Sequence, residues 1–194
     1  MTMISWDSLY GQIEACTACG LHSGCTRKVP GQGAEGAPLM LIGEGPGQVE
    51  DEQGLAFVGP AGQLLTKMLA AISLPRDSVY ICNIVKCRPP RNRQPLPEEA
   101  ASCMPFLRCQ VALVRPQIIL LLGATAARSI LGDELRITRD RGKWFRRKNV
   151  DFMVTYHPSA LLRDESKKRD AWHDLKQVRS RLQELGLYTG LLDR

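Results

Sequence analysis

A chain of 194 residues can bury most of its apolar surface in one domain without covalent staples, so a small disulfide-held scaffold is excluded. The formal charge of +6 makes an anionic partner plausible; the basic residues crowd two stretches, Lys86 to Arg93 and Arg136 to Lys148, for which a plain solvated surface is an equally good reading. No apolar run approaches the roughly 18 residues that a membrane-spanning helix needs, and the amino terminus lacks the charged start and long apolar stretch of a signal peptide, so a cytoplasmic location is expected.

In chain order, Ile4, Leu9 and Ile13 recur at helical spacing behind Ser5 or Asp7 as caps, which predicts a helix from Ile4 to Ala15. Cys16 and Cys19 follow at once, and Leu21 to Pro38 reads as loop because of its Gly, Pro and small polar residues. Leu39 to Ile42 is a buried strand closed by the turn GEGPG, which carries a single acid, Glu44. A loop then strands Phe57 and Val58 among glycines before an amphipathic helix from about Gly62 to Ile72. Val79 to Val85 is a second strand, ending in KCRPPRNRQPLP, whose prolines exclude helix and central strand. A helix starts at Pro97 with Glu98 and Glu99 in its first turn; Gln117 to Leu122 is a third strand, ATAARSIL a helix, Asp151 to Thr155 a fourth strand, and Lys167 to Leu185 the last helix.

Strand and helix alternate throughout. The expected fold is therefore α/β, a three-layer α/β/α sandwich around a four-stranded parallel sheet, with residues 1–194 forming one domain. In such a sheet every strand delivers its following loop to the same edge, where ligands bind. Glu44, Asn83, Gly123 and His157 should meet there. The Gly-rich turn has neither the G-x-G-x-x-G nor the G-x-x-x-x-G-K-[ST] spacing of a nucleotide site.

Seven cysteines in a cytoplasmic chain point to metal or redox chemistry. Cys16 and Cys19 form a C-x-x-C half-site, Cys87 sits among prolines and charges, and Cys103 lies in the next helix. Four thiolates suit zinc or an iron-sulfur cluster equally by count, with Cys25 a substitute ligand; buried apolar cysteines are the plainer alternative.

Read together, GEGPGQVEDEQGLAFVG, NIVKCRPPRNRQP, YHPSALLR and the Cys16, Cys19, Cys87, Cys103 spacing closely resemble the iron-sulfur uracil-DNA glycosylases of family four. The resemblance implies a [4Fe-4S] cluster on those four cysteines and removal of uracil from single- or double-stranded DNA by cleavage of the N-glycosidic bond; a monomer is expected. It implies that Phe57 stacks on a flipped-out base, that Asn83 reads its edge, and that His157 donates to uracil O2 as negative charge leaves on the base. Glu44, Gly45 and Pro46 would floor the pocket; since Gly45 stands where a water-activating carboxylate is expected, Glu44 would either orient the water, contact the base through its backbone, or serve a structural role. Glu50 resembles the residue that crowds uracil C5. Ser159 and Arg163 would bind phosphate, Leu161 or Leu162 would wedge into the gap left by the base, and Lys86, Arg88, Arg91 and Arg93 would face DNA around a structural cluster. An iron-sulfur electron carrier or a zinc-stabilised nucleic-acid-binding module would use the same cysteines without needing Phe57, Asn83 and His157 at one edge.

Overall fold

The computed structural model describes residues 5–188. Ile4, the first apolar position of the expected amino-terminal helix, lies outside them, as do both ends of the 1–194 span assigned to one domain. Helix α1 runs over Trp6–Glu14, and of the two candidate caps Ser5 is the one that acts, its hydroxyl accepting from the Ser8 N–H at 3.2 Å. Strand β1 (Gln32–Gly33) precedes β2 (Leu39–Gly43), α2 (Gln48–Gln53) and α3 (Pro60–Ala71). Then come β3 (Tyr80–Asn83), α4 (Pro97–Val114), β4 (Ile118–Leu122), α5 (Ala124–Leu131) and α6 (Ile137–Asp140). The hairpin β5 (Trp144–Arg147) and β6 (Val150–Thr155) leads into α7 (Pro158–Arg163) and α8 (Lys168–Glu184).

The sheet has six strands in the order β1-β3-β2-β4-β6-β5. The expected four are the parallel centre, with Gly43 opposite Asn83 and Leu122 opposite Thr155. The expectation of a purely parallel, four-stranded sheet is corrected by β1 and β5, which pair antiparallel at the two edges. Neither has a readable pattern. Strand β1 contains a glycine at φ +130° whose Cβ would overlap the Val79 carbonyl, and β5 is the charged run WFRR, a sequence that suits an edge because it discourages further pairing.

Period-two alternation divides the core. Leu39 and Leu41 of β2 face Leu65 and Leu69 of α3 with Leu175 and Val178 of α8, while Met40 and Ile42 face Leu107 of α4 with Ala126 and Leu131 of α5. That is the three-layer sandwich. The strand order reverses direction between β2 and β4, so the crevice beyond their carboxyl ends is the switch point where such sheets take ligands.

The second basic stretch is largely neutralised within the fold. Asp140 accepts from Arg139 and Lys143, Arg141 pairs with buried Asp174, and Arg147 donates to the carbonyls of Ile130 and Leu131.

Candidate active site

A cleft of about 710 Å³ opens at the switch point, lined by Glu44, Gly45 and Pro46 after β2, Asn83 at the end of β3, Gly123 to Thr125 after β4, and Tyr156, His157 and Ser159 after β6. Phe57 forms one wall with its ring 5.6 Å from that of His157. The sheet therefore gathers on one edge the residues that the loops singled out.

Phe57 is held by its backbone. It sits at φ +52°, a left-handed conformation that a bulky residue adopts only under constraint, and three neighbours supply the constraint. Glu50 accepts from the N–H groups of Val58 at 3.0 Å and Gly59 at 2.8 Å; Arg76 donates to the Ala56 carbonyl at 2.7 Å; and a Cβ at Gly62 would overlap the Phe57 carbonyl. Gly43 in turn leaves room for the ring, since a Cβ there would overlap both Phe57 and Asn83 Oδ1. Glu50 lines the cleft as expected, but its carboxylate is engaged by the loop it clamps.

Asn83 is 1% exposed, and its Oδ1 is the one buried side-chain polar atom among the described residues with no hydrogen-bond partner. An unsatisfied acceptor of this kind costs about 1–3 kcal/mol, so it is rarely retained without a use. The peptide unit that follows it is fixed at both its ends. Ile84 N–H donates to the Gly43 carbonyl at 2.9 Å, and Lys86 Nζ donates to the Asn83 carbonyl at 2.7 Å.

His157 caps α7. Its Nδ1 accepts from the Ser159 N–H at 3.1 Å and lies 2.8 Å from Ser159 Oγ, which leaves the proton on Nε2. Burial first, and then the nearby Arg163 guanidinium, push the imidazole down to about 4, so it is a neutral donor at pH 7. Glu44, by contrast, is under opposing pulls: burial pushes its carboxyl above the usual carboxylate range, against the lowering effects of Thr125 and of the Arg163 charge. Glu44, after β2, and Thr125, after β4, line the crevice from its two sides. A side chain at position 45 would come within 2.9 Å of Val85 Cγ2, in the segment that leads to Cys87, and would require that methyl group to shift.

The expected DNA contacts are corrected at Leu161 and Lys86, which are buried, while Arg93 lines the cleft. Leu161 is 1% exposed and belongs to the core beneath α7, so it is not available to a DNA helix; Leu162, at 48%, stands on the rim of the cleft. Lys86 is 2% exposed and turned inward, and Arg93 is held by Glu99 in two bonds of 2.7 and 2.8 Å. Ser159 and Arg163 line the cleft. Arg88, bonded to Asn92 Oδ1 at 2.7 Å, and exposed Arg91 lie beside it, on the loop after Cys87.

Cys16, Cys19, Cys87 and Cys103 line one small cavity of about 20 Å³, with Lys28 and Lys86 in its wall. None of the seven cysteines is in a disulfide, and Cys16 Sγ accepts from the Ala18 N–H at 3.5 Å. Among the described residues no three His, Cys, Asp or Glu side chains are drawn together as a ready ion site. The four thiols surround a space rather than converge on a point.

Sequence reading missed Thr125, Arg76 and Gln110. Thr125 had a signal, as a hydroxyl just after the third strand, at the edge where the site was expected. The other two act across 20 and 80 residues of chain and leave no local trace.

An α/β/α sheet with its cleft at the switch point agrees with the sequence comparison: residues 30–176 match the family model of the Uracil DNA glycosylase superfamily, and the chain belongs to that superfamily. It is 42% identical over 181 residues to a type-4 uracil-DNA glycosylase of Thermotoga maritima, a match covering 90% of this chain and 93% of the relative. Type-4 uracil-DNA glycosylases of Archaeoglobus fulgidus (41% over 184 residues, 91% and 92% covered) and Sulfurisphaera tokodaii (39% over 186 residues, 91% and 84%) are similar to it over the same span. Within the superfamily the chain belongs to the type-4 group.

Proposed function

We propose that the cleft receives a uracil flipped out of DNA and that the protein hydrolyses its N-glycosidic bond, leaving an abasic site for base excision repair. The observation that carries this is the unpartnered Asn83 Oδ1. A buried lone acceptor at the end of β3 matches the N3–H of uracil, and the amide N–H₂ then matches O4; cytosine presents the opposite pair and leaves both groups unsatisfied. Phe57 supplies the stacking face, worth roughly 1–3 kcal/mol. Neutral His157 donates from Nε2 to uracil O2, where charge gathers as the bond breaks. Glu44, facing Thr125 across the cleft, orients the attacking water, and Gly45 and Pro46 form the floor. Glu50 keeps the Phe57 loop closed against the position of uracil C5. The assay is release of free uracil from single-stranded and mismatched duplex oligonucleotides; absence of an abasic product from both would sink the reading.

Cys16, Cys19, Cys87 and Cys103 would hold a [4Fe-4S] cluster, because thiols ranged round a cavity fit a polynuclear group better than a single zinc ion. Cys16 and Cys19 after α1, Cys87 in the loop after β3 and Cys103 in α4 would together hold the group, which would supply a structural cross-link between those segments; the glycosylase reaction needs no electron from it. The cysteine at 87 thereby stiffens the loop that presents Arg88 and Arg91 to DNA. The protein works as one domain and a monomer in the cytoplasm; no helix of the described residues is long and apolar enough to cross a membrane.

Ser159 and Arg163 grip phosphate, and Leu162 fills the gap left by the base. Leu162→Ala is expected to slow uracil release from duplex DNA with an unchanged melting temperature. Leu161→Ala should instead lower stability by about 2–5 kcal/mol. Thermal melts and duplex kinetics on the two variants separate wedge from core, and the reverse pattern would exchange their roles.

A further inference from the structure

We propose that Lys86 is a positioning residue that ties the base-reading end of β3 to the group held by the four cysteines; this rests on the iron-sulfur reading above. Lys86 is 2% exposed, and its ammonium donates to the Asn83 carbonyl at 2.7 Å and to Gln110 Oε1 at 2.6 Å. Gln110, itself fully buried, is fixed by donating to the Pro30 carbonyl at 2.7 Å and the Tyr80 hydroxyl at 3.0 Å. No carboxylate among the described residues pairs with this lysine.

A buried cation needs a buried anion near it, since desolvation of an uncompensated charge is severe. The groups that feel the Lys86 charge are the thiols of Cys82 and Cys103, and Lys86 forms part of the cysteine cavity wall. Lys86 is also the chain neighbour of Cys87, and the two residues line that cavity together with Cys103. Four thiolates around a 2+ cluster leave a net negative charge of about two, which is the missing counter-charge. One residue therefore stands in the wall of the cysteine cavity, next in chain to Cys87, and holds the carbonyl of Asn83 through its side chain. The position of the Asn83 amide, and with it the reading of the base, follows from the occupied cavity.

In the iron-loaded protein, Lys86→Met is expected to move the reduction potential of the cluster to more negative values, because a nearby cation stabilises the reduced state. Compared at equal iron content, the variant should release uracil about tenfold more slowly, the effect of one lost charged hydrogen bond at the recognition residue. The potential is read by redox titration of the visible absorbance and the rate by single-turnover uracil release. Lys86→Gln, shorter but polar, replaces Lys86→Met if the latter does not fold, and the same shift in potential is expected. An unshifted potential, or uracil release equal to the wild type at equal iron content, overturns the proposal. Wild-type protein purified without iron or visible absorbance overturns the cluster reading itself, so the two failures are distinguishable.

Discussion

Asn83→Leu is expected to release uracil roughly 10²–10³-fold more slowly than the wild type, and yet to melt at a higher temperature. The two effects share one cause. Asn83 Oδ1 is buried without a partner, so the free protein carries a desolvated acceptor that only the bound base relieves. Leucine has similar volume and removes that penalty of about 1–3 kcal/mol, while leaving nothing to read the uracil imide. Thermal unfolding and single-turnover kinetics on the same preparation test both halves. Uracil release at the wild-type rate would remove Asn83 from base recognition, and a lowered melting temperature would mean that the amide is satisfied without substrate.

His157→Gln is expected to lower kcat by about 10²–10³-fold with little change in KM, because its hydrogen bond gains strength only as charge appears on the departing base. The pH dependence carries a sign. The imidazole falls from 6.5 to about 4 in the fold, so its contribution to stability is full above 6.5 and is lost as pH falls through about 4. The wild type should therefore lose stability on acidification within that window, and His157→Gln should show a flatter curve there. Activity should persist below pH 6, where an ordinary histidine would already be charged. Glu44→Gln separates the carboxyl from the imidazole: the acid limb that remains in that variant belongs to His157. A limb centred near 6.5 would mean that His157 is not buried in the way its geometry implies.

The parallel centre of the sheet was legible because β2, β3, β4 and β6 are apolar runs closed by turns, and burial on both faces demands such runs. The edge strands were not. Strand β1 is two residues of backbone pairing in a glycine-rich loop, and β5 has one paired side and a charged sequence. Short α2 and α7 hid inside segments read as loop. In the site, Phe57, Asn83 and His157 could be placed from chain order, because parallel topology sends every strand end to one edge. The supports of these residues could not be: Arg76 on Ala56 and Gln110 on Lys86 depend on tertiary approach, which no local pattern encodes. The lysine illustrates the limit well. By composition it joined a basic stretch facing DNA, and by position it points the other way.

Helix α7 is only Pro158–Arg163, yet His157 caps it, Leu161 roots it in the core and Leu162 stands at the rim. At about 1.5 Å of rise per residue, donor and wedge are separated by roughly 7–8 Å along one rigid rod. The rod acts as a depth gauge. How far the leucine enters the duplex and where the imidazole meets the base are set by a single docking angle, so neither can be tuned alone by shifting the helix. Variation in target range would have to come from the opposite wall, the loop of Phe57, whose support by Glu50 and Arg76 is separate from this rod.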